Sequence, residues 1–159
     1  MKQMKYLSVV IFLLSFFTSC FASPINSPEG YWKTIDDVTG KPKSIVKIFK
    51  GSNNLLMGQV IKIYPSPGKD EHEVCVNCKG DKKNQPIVGM VILSGLEAAE
   101  QHQWQNGQIL DPQNGKTYSC AVQIKNGGNK LKVRGYIGLP LLGRSQTWQR
   151  VDLMDGHVV

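Results

Sequence analysis

Turn-forming residues recur roughly every 8 to 15 positions through most of the chain after Glu29, and this spacing restricts the fold more than any other feature. The turns include the segments KGSNN, YPSPGKD, DPQNGK and KNGGNK. Between them lie short runs rich in Val, Ile, Leu, Tyr and Trp, which are typical of strands and short for helices. The sequence therefore predicts an all-β domain, built as a sandwich or a barrel.

Eight strands are predicted from these runs. They are Tyr31–Asp36, Ser44–Lys50, Leu55–Tyr64, Ile87–Leu96, Trp104–Leu110, Thr117–Lys125, Lys130–Ile137 and Ser145–Asp152. Eight antiparallel strands avoid exposed edges best by closing into a barrel, and a barrel of this size either fills with side chains or holds one small ligand. The prediction is a single eight-stranded antiparallel barrel with little helix, limited to a turn or two in GLEAAEQHQ and a 3₁₀ segment in LPLLG.

The N-terminal segment has the features of an export signal. Lys2 and Lys5 precede the apolar run YLSVVIFLLSFF, which is shorter than most membrane spans. Small residues at Cys20 and Ala22 predict cleavage after Ala22, so that residues 1–22 are a signal peptide and residues 23–159 are the single barrel domain, with no transmembrane segment left. In an alternative interpretation, FTSC is a lipoprotein site and Cys20 becomes an acylated, anchored N-terminus. Both interpretations predict an exported protein, which is periplasmic or secreted in the first and anchored through Cys20 in the second.

The charge of the chain is mildly basic and evenly spread. The formal net charge of +7 becomes +5 once Lys2 and Lys5 leave with the signal peptide. The cations form no long block, and an exported protein meets little nucleic acid, so no nucleic-acid partner is predicted. A solvated basic surface is favoured over contact with anionic envelope components, and the segment Lys79–Lys83 is the candidate edge for a partner.

The segment HEVCVNCKGDKK carries two cysteines, Cys75 and Cys78, that admit three interpretations. A structural zinc site needs four ligands, whereas this is a single pair with His72 nearby. A redox pair normally stands at a helix N-terminus, which the sequence does not predict here. A disulfide that stiffens the long connection from Pro65 to Pro86 is favoured, with no metal and no cofactor.

Signatures of known enzymes are absent from the sequence. ILSGL lacks the Gly-x-Ser-x-Gly elbow, and neither a His-Glu-x-x-His motif nor a glycine-rich phosphate loop occurs. Asp36 and Asp37 suggest an acid pair or a calcium loop, but a turn is favoured because adjacent acids in a strand point to opposite faces. Cys120 lies on the apolar face of its strand and is predicted to be a buried free thiol rather than a nucleophile. The chain is predicted not to be an enzyme.

Five ordered segments resemble a known family. They are GYWKTIDDVTGKPKSIVKIFKG, VCVNCKG, QPIVGMVILSGL, WQNGQILDPQNGKTYSC and LKVRGYIGLPLLGRSQTWQRV. Together they resemble the exported bacterial proteins grouped as domain of unknown function 2147, over residues 29–151. The resemblance implies an exported barrel similar to the lipocalin and fatty-acid-binding superfamily, and it implies no reaction.

The similarity to lipocalins implies a way of closing the barrel. Such barrels begin with Gly-x-Trp on the first strand, and an arginine of the last strand packs over that tryptophan. Gly30, Trp32 and Arg150 match these positions. A guanidinium over an indole face is expected to contribute about 0.5–2 kcal/mol.

Five residues are candidates for ligand contacts, namely Tyr118, Arg134, Tyr136, Arg144 and Trp148. Neighbouring strands of a barrel are expected to bring these rings and guanidinium groups to one mouth, which suits an acyl chain or an aromatic ligand with an acidic head. An outward-facing position is the alternative, and it is favoured for Arg134. The leading hypothesis is a non-catalytic binder of a small, mainly apolar ligand. The alternatives are a CxxC redox or metal protein and a packed barrel that acts through its surface.

Overall fold

Eight antiparallel strands wind into a closed barrel in the computed structural model, which describes residues 26–65, 68, 72–154 and 157–158. The strands are β1 (Gly30–Ile35), β2 (Pro42–Lys50), β3 (Leu56–Ile63), β4 (Val91–Ala98), β5 (Gln103–Asp111), β6 (Lys116–Lys125), β7 (Lys130–Tyr136) and β8 (Arg144–Val151). A separate two-stranded sheet of β9 (Leu153–Met154) and β10 (His157–Val158) follows. The predicted eight-stranded antiparallel barrel is confirmed. The predicted signal peptide and Cys20 lie outside the described residues.

Helix is limited to short 3₁₀ turns in the described part of the chain, as predicted. These turns are Gly80–Lys82, Asn126–Gly128 and Pro140–Leu142. The last of them falls in the segment LPLLG, where a 3₁₀ segment is expected. Among the described residues, no helix has the length and apolar character needed to cross a membrane.

Two of the local predictions are wrong, one because of a hydrogen-bonded turn and the other because of sheet packing. The predicted start of the fourth strand at Ile87 is instead a turn, in which the Met90 amide donates to the Ile87 carbonyl oxygen at 3.1 Å. The predicted helical turn in GLEAAEQHQ is strand up to Ala98, because Leu96 is buried opposite Leu56 of β3. Sheet packing overrides the local helix propensity of this segment.

The barrel has two distinct ends. Each strand pairs with the next in sequence, so successive connections alternate between the ends. The β1–β2, β3–β4, β5–β6 and β7–β8 connections lie at one end, called here the open end. The opposite or closed end holds the other turns and the chain that precedes β1. β1 and β8 complete the barrel, with Trp32 paired to Arg150.

Inward-facing apolar side chains fill the barrel towards its closed end. The main cluster includes Trp32, Val46, Ile48, Leu56, Val60, Leu93, Leu96, Val122, Ile124, Leu131, Val133 and Trp148. The clean alternation of β6 and β7 places Val122 opposite Val133 and Ile124 opposite Leu131. Thr34 is a buried polar residue at the open end of β1, and its hydroxyl lies 2.8 Å from that of Ser44. Both hydroxyl groups are therefore paired.

The long β3–β4 connection is folded against the outside of the barrel. Cys75 and Cys78 are joined by a disulfide, which confirms that prediction. With Met90 and Leu110 they form a second buried cluster. Leu110 follows Ile109, which packs on the main core, so strand alternation places this second cluster on the outer face of β5. A cysteine pair of this kind bonds stably in an oxidising compartment. The bond shapes the segment of residues 74–79, called here the disulfide loop.

The disulfide loop sits directly on the β5–β6 turn. The Asn77 side-chain amide donates to the Gln113 carbonyl oxygen at 2.6 Å. Gly115 has a φ of +68°, and a Cβ at this position would overlap the Asn77 main-chain carbonyl. Glycine is therefore required at Gly115 both by its backbone conformation and by the close approach of a second segment.

Replacing Gly115 by alanine is expected to destabilise the protein by at least about 2 kcal/mol more than replacing Gly40, because only the first change also displaces the disulfide loop. Gly40 has the same φ of +68° and no atom within 4 Å of an added Cβ, which makes Gly40→Ala a control for backbone strain alone. Urea unfolding of both variants measures the difference. Equal losses of stability would show that the loop does not rest on this turn.

Candidate functional site

Arg150 lies over the indole of Trp32 at the closed end. Its guanidinium carbon is 4.2 Å from the ring centroid, a distance suited to a cation–π interaction. Trp32 is fully buried, and its Nε1 donates to the Pro28 carbonyl oxygen at 2.7 Å. The stack therefore joins the first strand of the barrel to the last.

The same guanidinium binds three main-chain carbonyl groups from two other parts of the chain. Nε donates to the carbonyl oxygen of Gly128 at 2.6 Å, and the two terminal nitrogens donate to those of Glu29 and Ser27, each at 2.8 Å. A Cβ on Gly30, whose φ is +126°, would lie 2.7 Å from Nη1 of Arg150. Gly30, the glycine of Gly-x-Trp, thus makes room for the arginine.

Partial burial lowers the pKa of Arg150, an arginine that nevertheless stays charged.

The inner face of β8 carries a line of polar and aromatic side chains between the two ends. Arg144, Gln146 and Trp148 alternate along the strand and pair with Gly135, Val133 and Leu131 of β7. Trp148 is buried, and its Nε1 donates to Oε1 of Gln146 at 3.3 Å. The indole therefore stands within the core and its polar edge points along the strand to Gln146.

Asp37 of the β1–β2 connection completes this line at the open end. Its Oδ2 accepts a hydrogen bond from Nε2 of Gln146 at 2.6 Å and forms an ion pair with Arg144, also at 2.6 Å. The Arg144 side chain is 71% exposed, so donor nitrogens of its guanidinium remain open to solvent. The rim of the barrel therefore presents a fixed carboxylate and an accessible cation.

The adjacent acid, Asp36, serves the turn, as the sequence favours. Its Oδ1 accepts hydrogen bonds from the amides of Val38 and Thr39, at 3.1 and 2.8 Å, and from the Thr39 hydroxyl at 2.9 Å. These bonds, those from Thr39 above all, lower the pKa of Asp36 because they favour its charged form. Asp36 fixes the loop that positions Asp37 on the rim.

Burial of the inward-facing side chains falls towards the open end on the β5–β8 side of the barrel, whereas Thr34 and Ile63 at the open ends of β1 and β3 stay buried. Near the closed end Trp32, Leu131 and Trp148 are buried. Near the open end the inward-facing Ile109, Tyr118 and Gly135 keep part of their surface accessible, as does Gln146. An added Cβ on Gly135 would meet Ile109 and Tyr118 only at 3.6 Å, in ordinary contact. These inward-facing residues at the open end, called here the cup, present apolar side chains below and polar side chains at the rim.

The structure separates the five residues predicted to meet at one mouth. Tyr118 lines the cup, Arg144 lies on the rim, and Trp148 is buried below them. Arg134 and Tyr136 pair with Ala121 and Ser119, which alternate with the buried Cys120 and Val122, so both face outwards. Arg134 donates to the carbonyl oxygens of Pro140 and Leu141 and to the Ser145 hydroxyl. Its guanidinium is therefore bound to the β7–β8 loop, away from the cup.

The remaining candidates also have definite positions. Cys120 is a buried free thiol, and burial raises its pKa to about 12, so it stays protonated at neutral pH. Cys75 and Cys78, which belong to the disulfide loop, are both buried. Lys82 of the basic segment Lys79–Lys83 donates to the Val91 carbonyl oxygen at 2.9 Å, which binds this segment to β4. Among the described residues, no group of three or more His, Cys, Asp or Glu side chains is placed to hold a metal ion.

Sequence reasoning missed Asp37, Gly135, Gln146 and Ile109 as residues of the cup. Gln146 is two positions before Trp148, so strand alternation alone could have placed it on the inner face. The partner of Asp37 could not be found this way, because the contact joins residues 109 positions apart in the chain.

A concavity lies at the closed end. It is lined by Asn26, His102, Ile124, Lys125, Asn126, Gly127 and Gly128. A hydrogen bond of 2.8 Å joins the His102 ring to Asn26 within this lining. The lining thus combines four polar side chains with Ile124 and a glycine turn.

Arg150→Met is expected to destabilise the protein by about 3 kcal/mol, because it removes charge-assisted hydrogen bonds to three carbonyl groups together with the stack on Trp32. The matched change Arg144→Met on the same strand removes an exposed ion pair and is expected to cost less than about 1 kcal/mol. Urea unfolding followed by tryptophan fluorescence measures both. Similar losses for the two variants would contradict the assigned role of Arg150.

Alkylation by iodoacetamide at neutral pH is expected to report three cysteine states in a chain of residues 23–159. The folded protein gains no adduct, because Cys120 is buried and protonated. The unfolded, unreduced protein gains one adduct, at Cys120, and the unfolded, reduced protein gains three. Intact-mass spectrometry counts them. Two additional adducts without reductant would show that Cys75 and Cys78 are free.

Comparison with known proteins agrees with the barrel geometry. One solved structure is described as "Protein HP1028 from the human pathogen Helicobacter pylori belongs to the lipocalin family". It is 22% identical to this chain, with a TM-score of 0.67, over 81% of this chain and 84% of that one. No curated protein matches the chain. A family model described as "Uncharacterized protein conserved in bacteria (DUF2147)" matches residues 30–150. The chain therefore belongs to the DUF2147 family, and its barrel has the lipocalin-like fold.

Proposed function

We propose that this protein is an exported, non-catalytic carrier of a small, mainly apolar ligand, which it holds in the cup. The observation that supports this most directly is the decline of burial on the β5–β8 side of the barrel interior, from the buried Leu131 and Trp148 to the partly accessible Tyr118 and Ile109. Ligand sites of soluble proteins are typically concave and mainly apolar, with few polar groups that fix orientation. The cup has this composition.

The polar groups of the rim suggest the chemistry of the ligand's head. Arg144 is largely exposed and keeps donors beyond those that face Asp37. Guanidinium groups bind carboxylate and phosphate oxygens through paired hydrogen bonds. A ligand with an acyl or aromatic body against Ile109 and Tyr118 and an acidic head near Arg144 fits this arrangement best.

Export is supported by the signal-like residues 1–22 and by the Cys75–Cys78 disulfide, a bond that persists in oxidising compartments. The lipocalin likeness supports a binding role by analogy only, because one fold carries many functions. The alternative of a CxxC redox protein is less well supported, since attack on a disulfide requires access and both sulfur-bearing residues are buried. The carboxylate of Asp37 and the guanidinium of Arg144, both at the rim, form an ion pair with each other.

Gly135→Leu tests the proposal, because the added side chain would extend from the inner face of β7 towards Ile109 and Tyr118. Binding of a fluorescent long-chain fatty acid is expected to weaken by roughly tenfold or more while the far-ultraviolet circular dichroism stays that of the folded barrel. Thr147→Leu is the matched control, since it adds the same side chain to an exposed position of β8 next to the buried Trp148.

Native mass spectrometry of the protein purified from its host complements this titration. A bound mass that is present in the wild type and the Thr147→Leu variant but lost in Gly135→Leu supports the proposal. A bare polypeptide in all three, with no binding of the fatty acid by the wild type, contradicts it.

A further inference from the structure

We infer that the β7–β8 loop docks the open end of the barrel onto an anionic phospholipid bilayer. Large apolar side chains project from this loop and from the neighbouring β1–β2 connection into solvent. These residues, called here the rim patch, are Val38, Ile137, Leu139, Leu141 and Leu142, with exposed fractions between 67% and 91%. Adjacent exposed apolar side chains of this size mark a protein or membrane contact site.

The two loops that carry the rim patch belong to one surface. β1 and β8 are paired, so the connections that adjoin them at the open end are neighbours. Asp37 of the first connection bonds to Arg144 and Gln146, which follow the second. Val38 is the next residue after Asp37, so it lies on the same side of the open end as the β7–β8 loop.

The β7–β8 loop has a fixed shape before it meets any partner. Arg134 donates to the carbonyl oxygens of Pro140 and Leu141 at 2.7 and 3.1 Å. Within the loop the Leu142 amide donates to the Leu139 carbonyl oxygen at 3.1 Å. Much of the loop's main chain is thus hydrogen-bonded internally, which lowers the cost of moving it into an apolar medium.

The shape and charge of this end favour a lipid surface over a protein groove. Residues 135–143 contain no charged side chain, and the apolar groups stand on a projecting turn. A protein partner would need a matching cavity, whereas a fluid bilayer accommodates a projecting tip. Residues 36–43 and 134–144 carry four cations, Lys41, Lys43, Arg134 and Arg144, against the two acids Asp36 and Asp37. This excess of positive charge selects anionic headgroups.

Docking in this orientation would turn the mouth of the barrel towards the bilayer. Tyr136, which faces outwards at the base of the loop, lies where interfacial tyrosines meet the headgroups. The membrane contact does not depend on a ligand in the cup, because the rim patch lies on the outer tips of the loops.

Vesicle sedimentation tests the contact with the chain of residues 23–159, which contains every strand of the barrel but not the apolar run of residues 1–22. The wild type is expected to sediment with vesicles of phosphatidylcholine and phosphatidylglycerol, and less so at high salt or with phosphatidylcholine alone. The double variant Leu141→Ser, Leu142→Ser is expected to lose roughly tenfold in partitioning. Ala99→Ser is the control, an exposed apolar residue of the β4–β5 connection at the closed end, and it is expected to leave partitioning unchanged.

A probe on the loop gives a direct second measurement. Leu141→Cys can be labelled with an environment-sensitive fluorophore, because Cys120 is buried and protonated and does not compete. A blue shift with anionic vesicles supports insertion of the loop. Absence of wild-type sedimentation, or equal partitioning of the double variant, overturns the inference. So does a dimer, seen by light scattering, that the double variant abolishes while vesicles are not bound, since a second copy would then cover the rim patch.

Discussion

One arginine holds the closed end together, and the rest of the barrel depends on it. Arg150 stacks on Trp32 of the first strand and donates to carbonyl groups of Ser27, Glu29 and Gly128. Those groups belong to the chain before β1 and to the β6–β7 turn, two segments that Arg150 connects. A charged group that satisfies three main-chain acceptors is well solvated by the protein, so its partial burial is tolerated.

The open end is organised by a second, looser set of polar contacts. Trp148, Gln146, Asp37 and Arg144 form a chain of hydrogen bonds and an ion pair that leads from the core to the rim. Because each member has a partner, the polar side chains within the barrel mouth are satisfied without closing it. The accessible surface left on Ile109 and Tyr118 supports the proposed carrier function. The same rim also carries exposed leucines, so ligand entry and membrane contact would occur at one end.

Two connections at the open end are fixed by different means. The disulfide loop is held by a covalent bond and by its contact with the turn at Gly115. The β7–β8 loop is held by Arg134, whose guanidinium binds its carbonyl oxygens from the outer face of β7. An arginine that had suggested a ligand contact therefore serves the shape of a loop. The free thiol of Cys120 contacts neither of these loops, since it is buried in the main core.

Local patterning was sufficient for the number and kind of strands, because period-two alternation and turn chemistry are encoded within a few neighbouring residues. The disulfide followed from the spacing of Cys75 and Cys78, and the inner face of β6 from its alternation. The outward direction of Arg134 was likewise favoured from the sequence, whereas that of Tyr136, the end of β4 at Ala98 and the pairing of Asp37 with Arg144 did not follow. Each is settled by register between strands that are distant in sequence. Whether a side chain faces the cup or the solvent depends on which residue lies opposite it, and that information exists only once the barrel has closed.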